Sequence, residues 1–439
     1  MSLIALLGFT TVVFLAMLLL HGYLWLRLVR STTRPGRLRR RLTLLTLALA
    51  LLPALAIGLR RALPLEASAP LDWIAYSWLG VAFYAFLALL VLEPVRLIGN
   101  VHLTRRTRQV EASGARRAPR SLDEAALPDG GTAPGRGAVR QDGDVMARGA
   151  VRQDGDVIVP RRLFLARGLA VTAGVVALGT AGAGAYFANS PPVVRRVPVT
   201  LANLDPALDG LRIVTFSDGH LSATYGGRRF ERLVELVNEQ QPDVVAIVGD
   251  LVDGEVAELR EEAAPLADLV SAQGVFFVTG NHEYFVDTNA WLRHLGTLGV
   301  DVLRNERVAI RRGTASFDLA GIDDRTAASF GLPGHGADLD AALDGRNDDV
   351  PVVLLAHQPV QVEQARAAGV DLQLSGHTHG GQLWPFDYAI RLDQPAVQGL
   401  SRHGDTQLYV TSGAGYWGPP MRVGARPEVT VVELRSPRG

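Results

Sequence analysis

The sequence predicts a mixed α/β domain preceded by an α-helical transmembrane region. Three observations predict it. Four apolar stretches, flanked by arginines, fall before Asn189. From about Val197 onward, short β-branched runs alternate with segments of helical spacing. Nearly every one of those runs ends in a loop carrying Asp, Asn or His.

Composition narrows the function classes. The chain has 439 residues, with 44 basic side chains balanced by 44 acidic ones, and every basic residue other than histidine is arginine. No global charge invites a nucleic-acid partner, and none is expected. The absence of cysteine excludes disulfides, thiolate catalysis and Cys-ligated zinc. At this length, two or three domains are expected.

Leu3 to Trp25 is apolar except for Thr10, Thr11 and His21, and is long enough to span a bilayer. Arg27, Arg30, Arg34, Arg37, Arg39, Arg40 and Arg41 follow. Leu42 to Leu59 is a second span containing Pro53, and Trp73 to Leu92 a third, with Trp and Tyr near its start as interfacial anchors. The expected transmembrane region is 1–98. Residues 99–160 are rich in Arg, Gly, Ala, Pro and Asp and read as a disordered linker. Within it, Arg136–Val145 recurs as Arg148–Val157, a tandem repeat with too few copies for a solenoid.

Residues 161–188 have two readings. One is a fourth transmembrane helix with arginines on its cytoplasmic side. The other is a signal anchor, because Pro160-Arg161-Arg162-Leu163-Phe164-Leu165-Ala166-Arg167 resembles a twin-arginine export signal. Both give one topology. The Arg27–Arg41 loop and the arginine-rich linker are cytoplasmic by the positive-inside rule, which places the N-terminus and everything after the fourth span outside. The expected location is therefore the cell membrane, multi-pass, with residues 197–439 extracytoplasmic.

In that last region, Leu211–Phe216, Asp243–Val248, Val275–Val278, Pro351–Ala356, Gly369–Leu374, Leu408–Thr411 and Val429–Glu433 read as strands. Asp243–Val248 has the continuous β-branched character of a strand buried on both faces. Phe230–Gln240, Leu259–Ala272 and Thr288–Leu298 have helical spacing. Ligands in α/β sheets gather at the carboxyl ends of strands. Five such ends carry Asp218 and His220, Asp250 and Asp253, Asn281, His282 and Glu283, then His357, then His377 and His379. Half of the ten histidines fall in these loops. His294, His335 and His403 lie outside them and read as ordinary surface residues. Tyr416 and Trp417, among Gly and Pro, read as a turn, with a lining of the substrate cleft as the alternative.

The ordered blocks D-x-H, G-D, G-N-H-E, an isolated H and G-H-x-H resemble the calcineurin-like metallophosphoesterase superfamily, from about Leu211 to Gly381. The closest likeness is to its membrane-attached bacterial branch. The resemblance implies a β-sandwich flanked by helices and a binuclear centre of two divalent metal ions. Asp218, His220, Asp250 and His379 would hold the first ion. Asp250, as the bridge, would hold the second with Asn281, His357 and His377. Imidazole, carboxylate and amide oxygen suit Mn, Fe or Zn better than calcium. His282 is the expected general acid. Asp253 and Glu283 are expected to support the site or its loops.

The expected function is a membrane-tethered, metal-dependent phosphoesterase that hydrolyses a phosphomonoester, phosphodiester or pyrophosphate bond with a two-metal-activated hydroxide. Lipid-linked and cell-envelope phosphates are the candidate substrates. The alternative is a non-catalytic metal- or phosphate-binding membrane sensor, which would have no need of His282 beside its ligands.

Overall fold

The computed structural model describes residues 3–60, 63–115 and 155–437. Most of the expected linker, with nearly all of its tandem repeat, lies outside the described residues. The described helices begin with α1 (Leu3–Leu24), closed by a π-helical turn at Trp25–Arg30, then α2 (Arg37–Leu59), α3 (Leu65–Ala115) and α4 (Gly155–Asn189). All four are long and apolar enough to cross a membrane. Two differences from the expected boundaries concern the linker. α3 continues to Ala115, and α4 already starts at Gly155. Between Pro94 and Pro119 no proline interrupts the chain, and Leu, Arg, Gln, Glu and Ala there favour helix. Overall composition hides that local propensity.

The chain divides into two compact units. One comprises 19–46 and 85–177, and gathers the basic ends of the helices. Within it, Arg27 pairs with Glu93 at 2.7 Å, Arg96 Nε donates to Glu93 at 3.0 Å, and Arg162 donates to Thr104 Oγ1 at 2.8 Å.

The other unit comprises 1–18, 47–84 and 178–439. Its core is a pair of six-stranded sheets. The strands are β1 (Val193–Thr200), β2 (Arg212–Phe216), β3 (Val244–Val248), β4 (Val275–Val278), β5 (Asp301–Val302), β6 (Glu306–Arg312), β7 (Ala315–Gly321), β8 (Val352–Leu355), β9 (Leu372–Ser375), β10 (Gly399–His403), β11 (Thr406–Val410) and β12 (Glu428–Arg435). One sheet runs β1-β12-β2-β3-β4-β5 and the other β10-β11-β9-β8-β7-β6. β2, β3 and β4 are mutually parallel, as are β7, β8 and β9, so in each sheet their carboxyl ends share an edge.

Alternation along the strands builds the layers. Ile213, Val244, Ala246, Val248 and Phe276 face Phe317, Leu319, Val353, Leu355 and Leu374 between the sheets. Val214, Phe216, Val245, Ile247 and Phe277 face outward onto α5 (Arg228–Glu239), α6 (Val256–Ala263) and α7 (Thr288–Thr297), through Phe230, Leu233, Leu259 and Trp291. On the far side, Val352 and Leu354 meet α8 (Leu339–Leu343) and α9 (Val362–Ala367). The result is a β-sandwich flanked by helices. Strands buried on both faces require the continuous apolar runs seen in β3 and β8.

The sandwich starts before 197, because Val193–Val197 pairs in parallel with Glu428–Val432. Arg195 and Arg196 interrupt the apolar pattern there. The expected helix Leu259–Ala272 is shorter than its periodicity, ending at Ala263 and giving way to a 3₁₀ turn across Pro265.

Candidate metal centre

The carboxyl ends of β2, β3, β4, β8 and β9 place their loops around one point. Asp218, His220 and His379 present ligand atoms mutually within 4.8 Å, as do Asp250, His357 and His377. Asp250 lies between the two groups. Its Oδ2 is 3.1 Å from His357 Nε2 and 3.9 Å from His220 Nε2. His377 Nδ1 faces Asn281 Oδ1 at 3.0 Å, beside the second group. A third group joins His220, Asp250 and His282. The seven expected ligands and His282 therefore meet in one place.

The loops reach this arrangement through unusual backbone. Asp218, His220, Asp250, His377 and His379 have φ between +47° and +71°. Left-handed conformation in a non-glycine residue costs of order 1–3 kcal/mol and gathers at functional sites. Gly249 takes φ +76°, and a Cβ there would lie 2.6 Å from both Gly280 N and His357 Nδ1. Only glycine lets the β3 and β4 loops approach so closely.

A buried carboxylate locks these two loops together. Glu283 accepts from the backbone N–H of Asp250 at 3.0 Å, Gly280 at 2.7 Å and Leu251 at 2.8 Å. Burial pushes its carboxyl up to about 7. Asp253 orients two rings at once. Its Oδ1 accepts from His282 Nδ1 at 2.7 Å and from His220 Nδ1 at 2.9 Å.

Charge is shared unevenly across the centre. Burial alone would raise Asp250, but His357, His282 and His220 outweigh it and hold the carboxyl well below the usual range. Burial, reinforced by the Asp250 charge, raises Asp218. His357 resists burial because Asp250 is beside it, and its pKa lies well above the ordinary imidazole value. For His282, Asp250 and Asp253 likewise overcome burial and lift the imidazole to about 9. Burial and the His357 charge push His377 down to about 4. Burial and Arg422 hold His379 well below its usual value.

The donor set fits divalent cations. His357 donates Nδ1–H to the Val248 carbonyl at 2.8 Å, and its buried Nε2 has no hydrogen-bond partner. That nitrogen is aimed at Asp250 Oδ2, 3.1 Å away, and can act as a ligand once a cation displaces its proton. His220 Nε2 and His379 Nε2 face each other at 3.0 Å beside the Asp218 carboxylate. Such converging imidazole and carboxylate atoms, without sulfur, suit borderline first-row metals.

Two contributions were not read from the sequence, and a third, Trp417, was read as a turn with the cleft lining as the alternative. Trp417 is not only part of a turn, since its ring meets His282 edge-on at 5.7 Å. Arg422 is fully buried and donates to the carbonyls of His379 at 2.7 Å and Ser412 at 2.6 Å, and from Nε to that of Gly415 at 2.9 Å. Nothing in its sequence context marks it. Asp324 follows β7, a strand that sequence reasoning passed over. It accepts from Gln358 Nε2 at 2.9 Å, next to His357. The strand-end rule would have found it had Ala315–Gly321 been read as a strand. His294, His335 and His403 lie away from the ligand groups.

Comparison with known proteins identifies the family. The family model for calcineurin-like phosphoesterases matches residues 211–381. A zebrafish (Danio rerio) transmembrane protein with metallophosphoesterase domain is 42% identical over 58% of this chain and 60% of its own length. An uncharacterized metallophosphoesterase of Helicobacter pylori is 38% identical, over 58% of this chain and 68% of its own length. The metallophosphoesterase YkuE of Bacillus subtilis is 31% identical, over 63% of this chain and 98% of its own length. The chain thus covers less than two thirds of the vertebrate relative and nearly all of the Bacillus one. On these matches, this chain belongs to the calcineurin-like metallophosphoesterase family.

Proposed function

We propose that this protein is a membrane-tethered, metal-dependent phosphoesterase with its catalytic domain on the extracytoplasmic side. It would hydrolyse a phosphomonoester, phosphodiester or pyrophosphate bond in a lipid-linked or cell-envelope substrate. The observation that carries this reading is the convergence of seven ligand-type side chains on one point, with His282 beside them.

Asp218, His220, Asp250 and His379 would hold one cation, and Asp250, Asn281, His357 and His377 the other. Divalent cations held there, with Mn, Fe or Zn suited by donor chemistry, would supply an activated water and charge stabilisation for the phosphate oxygens. The protein's own groups do the rest. Asp250 would be the shared ligand, since its Oδ2 lies 3.1 Å from His357 Nε2 and 3.9 Å from His220 Nε2. Asp253 takes the Nδ1–H of His282, which leaves Nε2 turned toward the centre, 4.0 Å from Asp250 Oδ2. Asp253 favours the protonated ring, and His282 would give its proton from Nε2 to the departing oxygen. A sensor that merely bound phosphate would have no use for this Asp253–His282 pair.

The orientation rests on the arginine distribution. Arg27–Arg41, Arg96, Arg161 and Arg162 flank the expected cytoplasmic ends of the spans. The α2–α3 hairpin and the catalytic domain are separated by two crossings, which returns both to the same side.

The test is hydrolysis of bis-p-nitrophenyl phosphate and p-nitrophenyl phosphate by the purified full-length protein with Mn²⁺. Turnover that falls at least a hundredfold in Asp250→Ala and His377→Ala is expected, about the scale of losing an essential ligand. Metal binding without turnover of either ester would favour the sensor.

A further inference from the structure

The hairpin between α2 and α3 belongs to the same compact unit as the catalytic domain. Arg60, at the end of α2, faces a cleft together with Asp72 and Tyr76 of α3. The opposite wall includes Thr224, Asp253 and Trp417. Asp253 holds His282, and Trp417 touches its ring edge-on. Two residues of the cleft wall therefore touch the expected proton donor. The hairpin is firmly seated there. The Arg229 guanidinium lies 5.4 Å from the centre of the Trp73 ring, and Tyr84 donates to the Trp384 carbonyl at 3.1 Å. Gly80 packs so tightly that a Cβ would lie 2.5 Å from the Met421 sulfur.

Two groups on this wall, whose charges act on one another, lack hydrogen-bond partners in the chain. Among the described residues, no hydrogen bond or ion pair engages the Arg60 guanidinium, although it faces the cleft. Asp72 is 1% exposed, and its Oδ1 has no hydrogen-bond partner. A buried carboxylate oxygen left unpaired is costly, so a donor from outside the chain is its natural complement. Asp253 Oδ1 is engaged by His220 and His282, which leaves its Oδ2 as a further acceptor on the cleft wall. An arginine seeking an anion beside a carboxylate seeking a hydroxyl or ammonium matches a phosphate carrying a polar substituent.

A cluster of exposed apolar side chains lies at the same edge of the domain. Trp384, Phe386, Tyr388 and Leu392 are 56%, 56%, 65% and 90% exposed in one loop, and the carbonyl of Trp384 is the one bonded by Tyr84 of α3. Gln382 donates to the Trp417 carbonyl at 2.8 Å, and Trp417 N donates back at 3.0 Å, which ties this loop to the cleft. Exposed Trp and Tyr beside a membrane span belong at headgroup depth.

We propose that Arg60, Asp72 and Tyr76 form a headgroup subsite, and that the substrate is a phosphate ester of a membrane lipid bearing a hydroxyl or amine near its phosphate. The inference rests on the phosphoesterase reading and names the substrate class of that site. The membrane hairpin then completes the active site as well as anchoring it.

The test uses full-length protein in phospholipid nanodiscs with Mn²⁺. Phosphatidic acid, phosphatidylglycerol and a diphosphate lipid are compared with their water-soluble headgroup counterparts and with bis-p-nitrophenyl phosphate. The wild type is expected to prefer at least one lipid over its soluble counterpart. Arg60→Ala should lower the ratio of lipid to bis-p-nitrophenyl phosphate turnover by about tenfold or more, through KM for the lipid, the scale of one charge-assisted hydrogen bond to phosphate. Arg60→Lys should restore part of it, and Asp72→Asn, which keeps the side chain's shape, should lower the same ratio. Equal losses on lipid and soluble esters, or no change in the ratio, would overturn the subsite. Turnover of soluble esters with no lipid preferred would overturn it while leaving the phosphoesterase reading intact. No turnover of any ester would remove both.

Discussion

Asp253 offers the sharpest test of how the centre works. Its Oδ1 receives two ring N–H groups, from His282 at 2.7 Å and His220 at 2.9 Å. Asp253→Asn keeps the shape and one acceptor oxygen but removes the charge. A hydrogen bond to a charged group contributes about 1.5–3 kcal/mol and a neutral one about 0.5–1.5 kcal/mol, so each ring loses roughly 1 kcal/mol or more. At about 1.4 kcal/mol per factor of ten, the two losses together predict a 10–100-fold defect. They act on different steps. The His282 loss weakens protonation of the departing oxygen, whereas the His220 loss weakens cation holding. The assay is kcat at saturating Mn²⁺ with p-nitrophenyl phosphate, whose phenolate leaves without a proton, and with glycerol phosphate, whose alkoxide needs one. The alkyl ester should suffer more, and half-maximal activity should require more Mn²⁺. Equal kcat values for wild type and variant on both esters, with an unchanged Mn²⁺ requirement, would refute both roles.

Other outcomes follow from the same geometry. Chelation should lower the melting temperature of the purified protein, with recovery on adding Mn²⁺. A ligand at a hundred times its Kd contributes about 2.7 kcal/mol, which for a domain of this size is roughly 5–10 °C in a thermal scan. Arg422→Met should destabilise by about 3–5 kcal/mol in denaturant titration, because the carbonyls of His379, Ser412 and Gly415 lose a buried charged donor. Arg422→Lys should recover only part of that, since one ammonium cannot reach all three as a planar guanidinium does. The chain has no cysteine, so single cysteines can report topology. Arg293→Cys on α7 should react with a membrane-impermeant maleimide on intact cells and Arg34→Cys should not; the reverse pattern would place the catalytic domain inside.

The ligand residues could be found from sequence because they sit at the ends of strands buried on both faces. β3 and β8 are uninterrupted apolar runs, and the polar residues after them stand out by contrast. Asp324 escaped because β7 alternates Ser316 and Asp318 with apolar residues and so does not read as a buried strand. Val193–Thr200 escaped because Arg195 and Arg196, both exposed and on opposite faces of an edge strand, break the apolar pattern. Trp417 looked like part of a Gly- and Pro-rich turn, which it is. Its proximity to His282 depends on a chain segment far away in sequence.

The sequence by itself determined the apolar helices, the alternation of strands and helices, and the order of ligand-bearing loops. These depend on local periodicity and on which residue types can share a site. Only the tertiary structure decided which atoms face each other. It set Asp250 between the two ligand groups, made Asp253 the partner of two rings and clamped two loops with Glu283. It also brought Arg60 and Asp72 of the membrane hairpin to the edge of the centre. Those outcomes come from packing between elements separated by tens to hundreds of residues, and no local pattern encodes such distances.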